Sequence, residues 1–345
     1  MLVKLDRGTL RGFGGVLAAL MVIAGIHFIK PTVSTAPDFP CGVESNQTVT
    51  VDVHSGESGS SIGVDLAALG VVKSSAAFFR VAVSDRRAES IAPGTHLLSK
   101  NLCAKNALEQ LLDPKRITNL LSVPEGAWSS EIKSSLSKIG FTAQDIWQGF
   151  QATKIPTGYK SLEGLLFPAQ YSFDTSTTVS AILQKMIDRG LSEMKRAGLM
   201  TSGGKFTAAQ LLTIASLVQA EGDTKDFAKI AQVVRNRMNK GMPLQFDSTI
   251  HYIKGSRGSV FLSTQSTFLK SPYNTYRNYG LPPTPINNPG YQAMYAAAHP
   301  EAGNWIYFIT VAPGDTRFTD SLDQFYTWKA LYKKNLRAGL FRSSK

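Results

Sequence analysis

After position 200 the sequence carries only eight acidic residues: Glu221, Asp223, Asp226, Asp247, Glu301, Asp315, Asp320 and Asp323. Glu221 is the one whose surroundings suggest chemistry. It closes a run whose apolar face is Leu211, Ile214, Ala215, Leu217 and Val218. A carboxyl there sits beside apolar packing and at the negative end of a helix dipole. Both effects disfavour the charged form and raise the pKa. A carboxylic acid kept protonated near neutral pH is what general-acid cleavage of a glycosidic bond requires. Position alone also allows a helix-end glutamate solvated by water.

Other chemistries find little support. His27, His54, His96, His251 and His299 are scattered, with no paired-histidine spacing. Two cysteines cannot build a four-thiolate zinc site. No metal and no cofactor is therefore expected. The strings SLSK (135–138) and SEMK (192–195) match SxxK but lack KTG or SDN partners, and GGKF (203–206) lacks the spacing and hydroxyl of a phosphate loop.

The elements that must position Glu221 are legible around it. Thr207-x-x-Gln210 reads as a capping box opening a helix that ends near Glu221-Gly222. Further helices are expected over about 176–197, 227–240 and, as a closing amphipathic helix, 322–340; residues 306–311 read as a strand. Residues 242–290 are dense in Pro, Gly, Asn and Tyr and too long for an idle connection in a compact domain. Upstream, a shift of 70 residues superposes Val53, Gly56, Ser60, Ile62, Leu66 and Gly70 on Val123, Gly126, Ser130, Ile132, Leu136 and Gly140. Each copy reads as a short strand, a turn at the first Gly and a helix ended by the second, with i, i+4 apolar residues facing inward. Two copies make a duplicated unit, not an array.

Phe13 to Ile29 is an apolar run of 17 residues broken only by Gly14, Gly15, Gly25 and His27. It is just long enough to span a bilayer. Lys4, Arg7 and Arg11 before it keep the N-terminus cytoplasmic. A cleaved signal ending near Ala36 and a buried soluble helix are the alternatives. An uncleaved anchor puts the rest of the chain outside the cytoplasm. There Cys41 and Cys103 are free to pair, or to remain two thiols. The 345 residues carry 37 basic and 25 acidic groups, net +12, with 17 basic against eight acidic after position 200. That excess suits a polyanion such as wall polymer or lipid headgroups, or is simply solvated. No nucleic-acid partner is expected, because the span places the basic half outside the cytoplasm.

Six ordered segments carry a resemblance: LEGLLFP (162–168) with Tyr171 and Phe173, LTIASLVQAE (212–221), VRNRMNKGMPLQFDST (234–249) with His251-Tyr252, SPYNTY (271–276), GLPPTPI (280–286), and NPG (288–290) with AAAHP (296–300). Together they resemble the YceG-like family of endolytic murein transglycosylases, strongly over about 155–325 and more weakly over the preceding repeat, which looks like that family's LysM-like region. The resemblance implies an α+β protein: residues 1–12 cytoplasmic, 13–29 a transmembrane helix, 30–47 a linker, 48–115 a LysM-like module, 116–155 a second strand–helix module and 156–345 a larger mixed catalytic domain. It implies a single-pass membrane enzyme, with its catalytic domain outside the cytoplasm. Such an enzyme cleaves the MurNAc-β-1,4-GlcNAc bond of nascent peptidoglycan strands, leaves 1,6-anhydro-MurNAc ends and terminates elongation, with peptidoglycan synthases as partners.

Glu221 matches the family's catalytic glutamate. Glu163, Asp247, Thr249, Tyr252, Tyr273, Asn274, Thr275 and Tyr276 match segments that line its cleft and would bind substrate, with Tyr273, Tyr276 and Asn274 placing sugar rings by stacking and amide hydrogen bonds. Two positions depart from the family. Gln219 stands where an acid is frequent, and Ala169-Gln170 stand where Asp-Thr is frequent. A hydrolytic muramidase and a non-catalytic peptidoglycan-binding scaffold are the competing readings.

Overall fold

The computed structural model describes residues 36–42, 45–54, 56–201, 204–257 and 263–341. The apolar run 13–29 lies outside them, as do Arg342 and Lys345. Among the described residues no helix is long and apolar enough to cross a membrane. These residues form eleven α-helices and three two-stranded sheets, a mixed α+β architecture.

The described residues begin with β1 (Thr48–Val53), α1 (Gly59–Ala68), α2 (Ser75–Ser84), β2 (Gly94–Ser99) and α3 (Ala104–Leu112), with β1 paired to β2. The chain then repeats the pattern with β3 (Leu120–Ser122), α4 (Ser129–Lys138), α5 (Ala143–Ala152) and β4 (Gln170–Ser172), β3 running antiparallel to β4 with Leu121 opposite Tyr171. The 70-residue repeat thus marks two strand–helix–helix–strand motifs. Gly56 and Gly126, and the helix-ending Gly70 and Gly140, all hold positive φ, and Ile62, Leu66, Ile132 and Leu136 are all buried. The second helix and closing strand of each motif escaped the repeat because their spacings diverge: α2 precedes α5 by 68 residues and β2 precedes β4 by 76.

Two compact units divide the chain. Among the described residues, the first unit falls within Met1–Val51, Glu57–Ile91 and Leu97–Asp113, and the second within Asp52–Gly56, Ala92–His96 and Pro114–Lys345. In the first unit Phe78, Leu98, Leu102, Leu108 and Leu111 form a buried core. Cys103, the residue before α3, offers no side-chain cap. Asp38 supplies one from a distance, its carboxylate accepting from the Ala104 N–H at 3.1 and 3.2 Å. A disulfide between Cys41 and Cys103, with Cα atoms 5.1 Å apart, holds that segment in place.

In the second unit the chain continues through α6 (Val179–Arg196), α7 (Ala208–Glu221), α8 (Phe227–Asn239), α9 (Asp247–Lys254) and α10 (Tyr291–Ala298). α7 is the helix around which this unit is built. Every residue from 211 to 218 is buried, as expected of a helix apolar on all sides. Its two polar residues there are satisfied internally: Thr213 donates to the Ala209 carbonyl, and the Ser216 hydroxyl donates to Thr213 O and accepts from the Ile286 N–H. The Thr207–Gln210 capping box is formed.

The chain closes with a hairpin of β5 (Tyr307–Ala312) and β6 (Asp315–Thr319) and with α11 (Leu322–Arg337). The apolar face of this closing amphipathic helix is only partly covered: Phe325, Trp328, Leu331 and Tyr332 are half-buried and Leu322 is exposed. Phe325 stacks on Tyr307 at 5.3 Å, but a two-stranded hairpin is too narrow to cover a 16-residue helix.

Candidate active site

α7 carries Glu221 as its last residue, just beyond the buried stretch 211–218, where the helix reaches the edge of its packing. The residue is half-buried. Opposite it, α9 starts at Asp247, and the hydroxyl of Ser248 donates to Glu221 Oε1 at 2.5 Å. Desolvation pushes the Glu221 carboxyl up to about 7, with the neighbouring Asp247 charge adding to it. The Ser248 hydrogen bonds and the Arg237 cation act the other way and do not cancel burial. A carboxyl poised near 7 can give a proton and then take one back.

Arg237 is buried on α8. Its guanidinium donates to the main-chain carbonyls of Ile306, at 2.6 Å, and of Leu244. A cation is thus held near Glu221 without a salt bridge to it. Asp247, exposed, accepts a hydrogen bond from the Tyr276 hydroxyl, and Tyr276 is pushed up by burial and by that carboxylate. Glu221, Ser248, Asp247, Tyr276 and Arg237 therefore form one cluster.

Glu163 belongs to a second cluster and is buried. Its carboxylate accepts from the Ser129 N–H at the start of α4 (3.1 and 3.2 Å), from Asn288 Nδ2 (3.0 Å) and, at 3.5 Å, from the Tyr252 hydroxyl. Burial raises it to about 7 despite those donors. Asn288 completes the lock: its Oδ1 accepts from the N–H groups of Gly164 and Leu166, and its Nδ2 also donates to Ala127 O. Trp128, Tyr252 and Tyr273 make a row of rings, with centroids 6.0 and then 5.2 Å apart. The Tyr273 hydroxyl meets Thr284 Oγ1 at 2.8 Å. Behind Glu163 and Thr284 lies a cavity of about 540 Å³, also lined by Tyr159, Gln210 and Pro283.

Thr249, Asn274 and Thr275 are fully buried and build the wall. The Thr249 and Thr275 hydroxyls meet at 3.0 Å; Thr249 donates to Phe246 O, and Thr275 accepts from the Phe246 N–H. Asn274 Nδ2 donates to the carbonyls of Thr267 and Leu269, while its Oδ1 accepts from the Tyr276 N–H. The amide contact to a ligand expected of Asn274 is thus not offered here, because the loop already engages both ends of the side chain. Asp247 and Tyr276 are the expected residues the structure brings beside Glu221. Tyr252 and Tyr273 stand with Glu163.

Ser248, Arg237 and Asn288 were not singled out from sequence. All three lie inside the segments quoted above, but nothing in a lone serine, arginine or asparagine marks its partner. Gln219, one of the two departures, accepts from the Gly290 N–H at 2.9 Å and ties α7 to the turn before α10. Among the described residues no group of three or more His, Cys, Asp or Glu side chains is placed to hold a metal ion.

Three comparisons relate the chain to known proteins. A sequence model described as the YceG-like family matches residues 51–330. The chain is 31% identical over 315 residues to a Bacillus subtilis (strain 168) protein named endolytic murein transglycosylase, covering 85% of this chain and 87% of that one. It is 30% identical over 309 residues to a Streptococcus pneumoniae serotype 2 protein of the same name, covering 78% of this chain and 55% of that one. The chain thus spans about half the length of the pneumococcal relative. In three dimensions it resembles the 2.6 Å crystal structure of a YceG-like protein from Listeria monocytogenes, with TM-score 0.54 and 25% identity, over 82% of this chain and 99% of that one.

Proposed function

We infer that this chain, which belongs to the YceG-like family, is an endolytic lytic transglycosylase that cleaves the MurNAc-β-1,4-GlcNAc bond of peptidoglycan strands. The observation that carries the reading is Glu221: a carboxyl at the end of a buried helix, held near 7 by desolvation, with a hydroxyl donor on one oxygen. Its relatives' name supplies the substrate class.

The reaction uses that carboxyl twice. Protonated Glu221 gives its proton to the glycosidic oxygen as the bond from that oxygen to the muramoyl anomeric carbon breaks. The muramoyl N-acetyl oxygen bonds to the anomeric carbon and carries the developing positive charge, a substrate-assisted route. The Glu221 carboxylate then takes the proton of the muramoyl 6-hydroxyl as that oxygen attacks the anomeric carbon and the N-acetyl oxygen leaves. One glycosidic bond is broken, one 1,6-anhydro bond is formed, no water is consumed and Glu221 ends protonated.

Asp247 and Tyr276, beside Glu221, contact the sugar next to the scissile bond; Tyr252 and Tyr273 provide ring faces further along the strand. Glu163, Thr249, Asn274 and Thr275 hold those groups in place. The domain scheme set out from sequence completes the reading: residues 13–29 anchor the chain, 48–115 form a LysM-like module, 116–155 a second strand–helix module and 156–345 the catalytic domain outside the cytoplasm, near peptidoglycan synthases. The Cys41–Cys103 pair supports an oxidising compartment.

Incubation of the purified protein with uncrosslinked glycan strands, followed by mass spectrometry, tests the activity. Anhydro-muramoyl ends, lacking the water that a muramidase would add, are expected. They should disappear in Glu221→Gln with the fold intact. Unchanged yield from that variant would refute the assignment. Glycan binding without any product would favour a scaffold.

A further inference from the structure

The two oxygens of Glu221 are not equivalent. A protonated carboxyl has one oxygen that carries the proton and one that can only accept. Ser248 Oγ donates to Oε1 at 2.5 Å. Ser248 is itself fixed, because the first turn of α9 is tied down on both sides: Thr275 Oγ1 accepts from the Phe246 N–H at 2.9 Å, and the Thr249 hydroxyl donates to Phe246 O at 2.6 Å. We propose that Ser248 is a positioning residue for the proton transfer: its hydroxyl pins Oε1 as the accepting oxygen, so that Oε2 carries the proton and faces the glycosidic bond. This rests on the glycan-cleaving reading of the site.

Besides the Ser248 backbone N–H, three side chains act on Glu221: Asp247 from α9, Arg237 from α8 and Tyr276 from the loop after α9. Arg237 donates to the carbonyls of Ile306 and Leu244, and Tyr276 donates to Asp247. α10, packed on the same helix, turns its titratable tyrosines elsewhere: Tyr291 under the Arg196 guanidinium and Tyr295 onto His299. None of these groups can replace the hydroxyl. Without it only the backbone N–H of Ser248 still acts on the carboxyl, the donor fixed on Oε1 is gone, and either oxygen can take the proton. A positioned donor removes that ambiguity before substrate arrives.

The hydroxyl also stabilises the charged form, so its loss has a signature that a merely structural role lacks. With ¹³C-carboxyl-labelled glutamate, and the Glu221 resonance assigned by its absence in Glu221→Gln, the carboxyl is titrated directly. The wild-type midpoint is expected near 7. Ser248→Ala should raise it by about one pH unit, the loss of a hydrogen bond to a charged group. Ser248→Thr, which keeps the hydroxyl, should stay within a few tenths of the wild type.

In turnover on uncrosslinked glycan, Ser248→Ala should lower kcat roughly tenfold with KM little changed. The basic limb of its pH profile should move upward by the same shift as the midpoint, and Ser248→Thr should restore both. A Ser248→Ala protein with an unmoved Glu221 midpoint overturns the proposal, whether or not kcat falls. The titration needs no substrate. A moved midpoint in a protein that releases no anhydro product therefore upholds the hydrogen bond while refuting the glycan-cleaving reading.

Discussion

Glu221 and Glu163 are two carboxyls with the same raised midpoint and opposite surroundings. Glu221 is half-buried at a helix end, its Oε1 bonded to a single hydroxyl; Glu163 is buried and accepts from Ser129, Asn288 and Tyr252. Both are held near 7 by burial. Glu163 is committed to donors from three protein residues, whereas Glu221 is held by Ser248 alone, which suits Glu221 for exchanging its proton with a ligand. Glycan cleavage that begins with a protonated Glu221 should therefore fall as pH rises through about 7, since the acid is progressively lost. A basic limb near that pH in kcat, absent from Glu221→Asp or displaced in it, checks the assignment.

For Glu163 the same shift is a statement about stability. Its native midpoint, about 7, lies above the ordinary value of 4.5, so the native state binds more protons than the unfolded chain between those values. Stability thus falls as pH rises across that window and levels off above it. Glu163→Gln removes the titration. Its stability relative to wild type should improve by about 3 kcal/mol between pH 4.5 and 8, read from urea unfolding. It should also keep measurable turnover, where Glu221→Gln keeps none. A flat difference across pH would show that Glu163 is not desolvated in the native protein.

At the scale of elements, α7 and its capping box follow from sequence because an all-apolar run opened by Thr207-x-x-Gln210 has one good solution: a buried helix. The site facing it does not follow. α9 lies inside the Pro-, Gly- and Asn-rich stretch 242–290, has no side-chain cap and spans only eight residues, so periodicity cannot mark it. Its position depends on the Thr249–Thr275 contact across 26 residues, which is tertiary information.

Gly190 shows the same tension between local preference and packing. In the interior of α6, alanine would gain about 1 kcal/mol of helix propensity. Yet a Cβ there would sit 2.6 Å from the Leu165 carbonyl oxygen, a backbone atom in the segment that also carries Glu163. Overpacking of this kind costs about 1–3 kcal/mol, and the backbone must move to accept it. Gly190→Ala should be destabilised by up to about 2 kcal/mol in urea unfolding, because a clash with backbone outweighs the propensity. A stabilised variant would mean that α6 does not approach residue 165 so closely.

For the whole molecule, the net charge of +12 is a poor guide to the chemistry. Lys329, Lys333, Lys334 and Arg337 are exposed on α11, whereas the cation that acts on Glu221 is the buried Arg237. The two cysteines, which sequence left open, say more. They join residues 62 apart within the first unit, at the point where Asp38 caps α3. Closing a loop of that length restricts the unfolded chain by about 4 kcal/mol. The same bond keeps Asp38 near the Ala104 N–H, so cutting it weakens both the constraint and the cap. Reduction, or Cys41→Ser with Cys103→Ser, should therefore speed amide exchange in α3 and at the buried Leu102, Leu108 and Leu111 by roughly three orders of magnitude, the equivalent of that loss. Unchanged exchange at those amides after reduction would mean that the first unit is held by its core alone and that the bond does not hold the Asp38 cap in place.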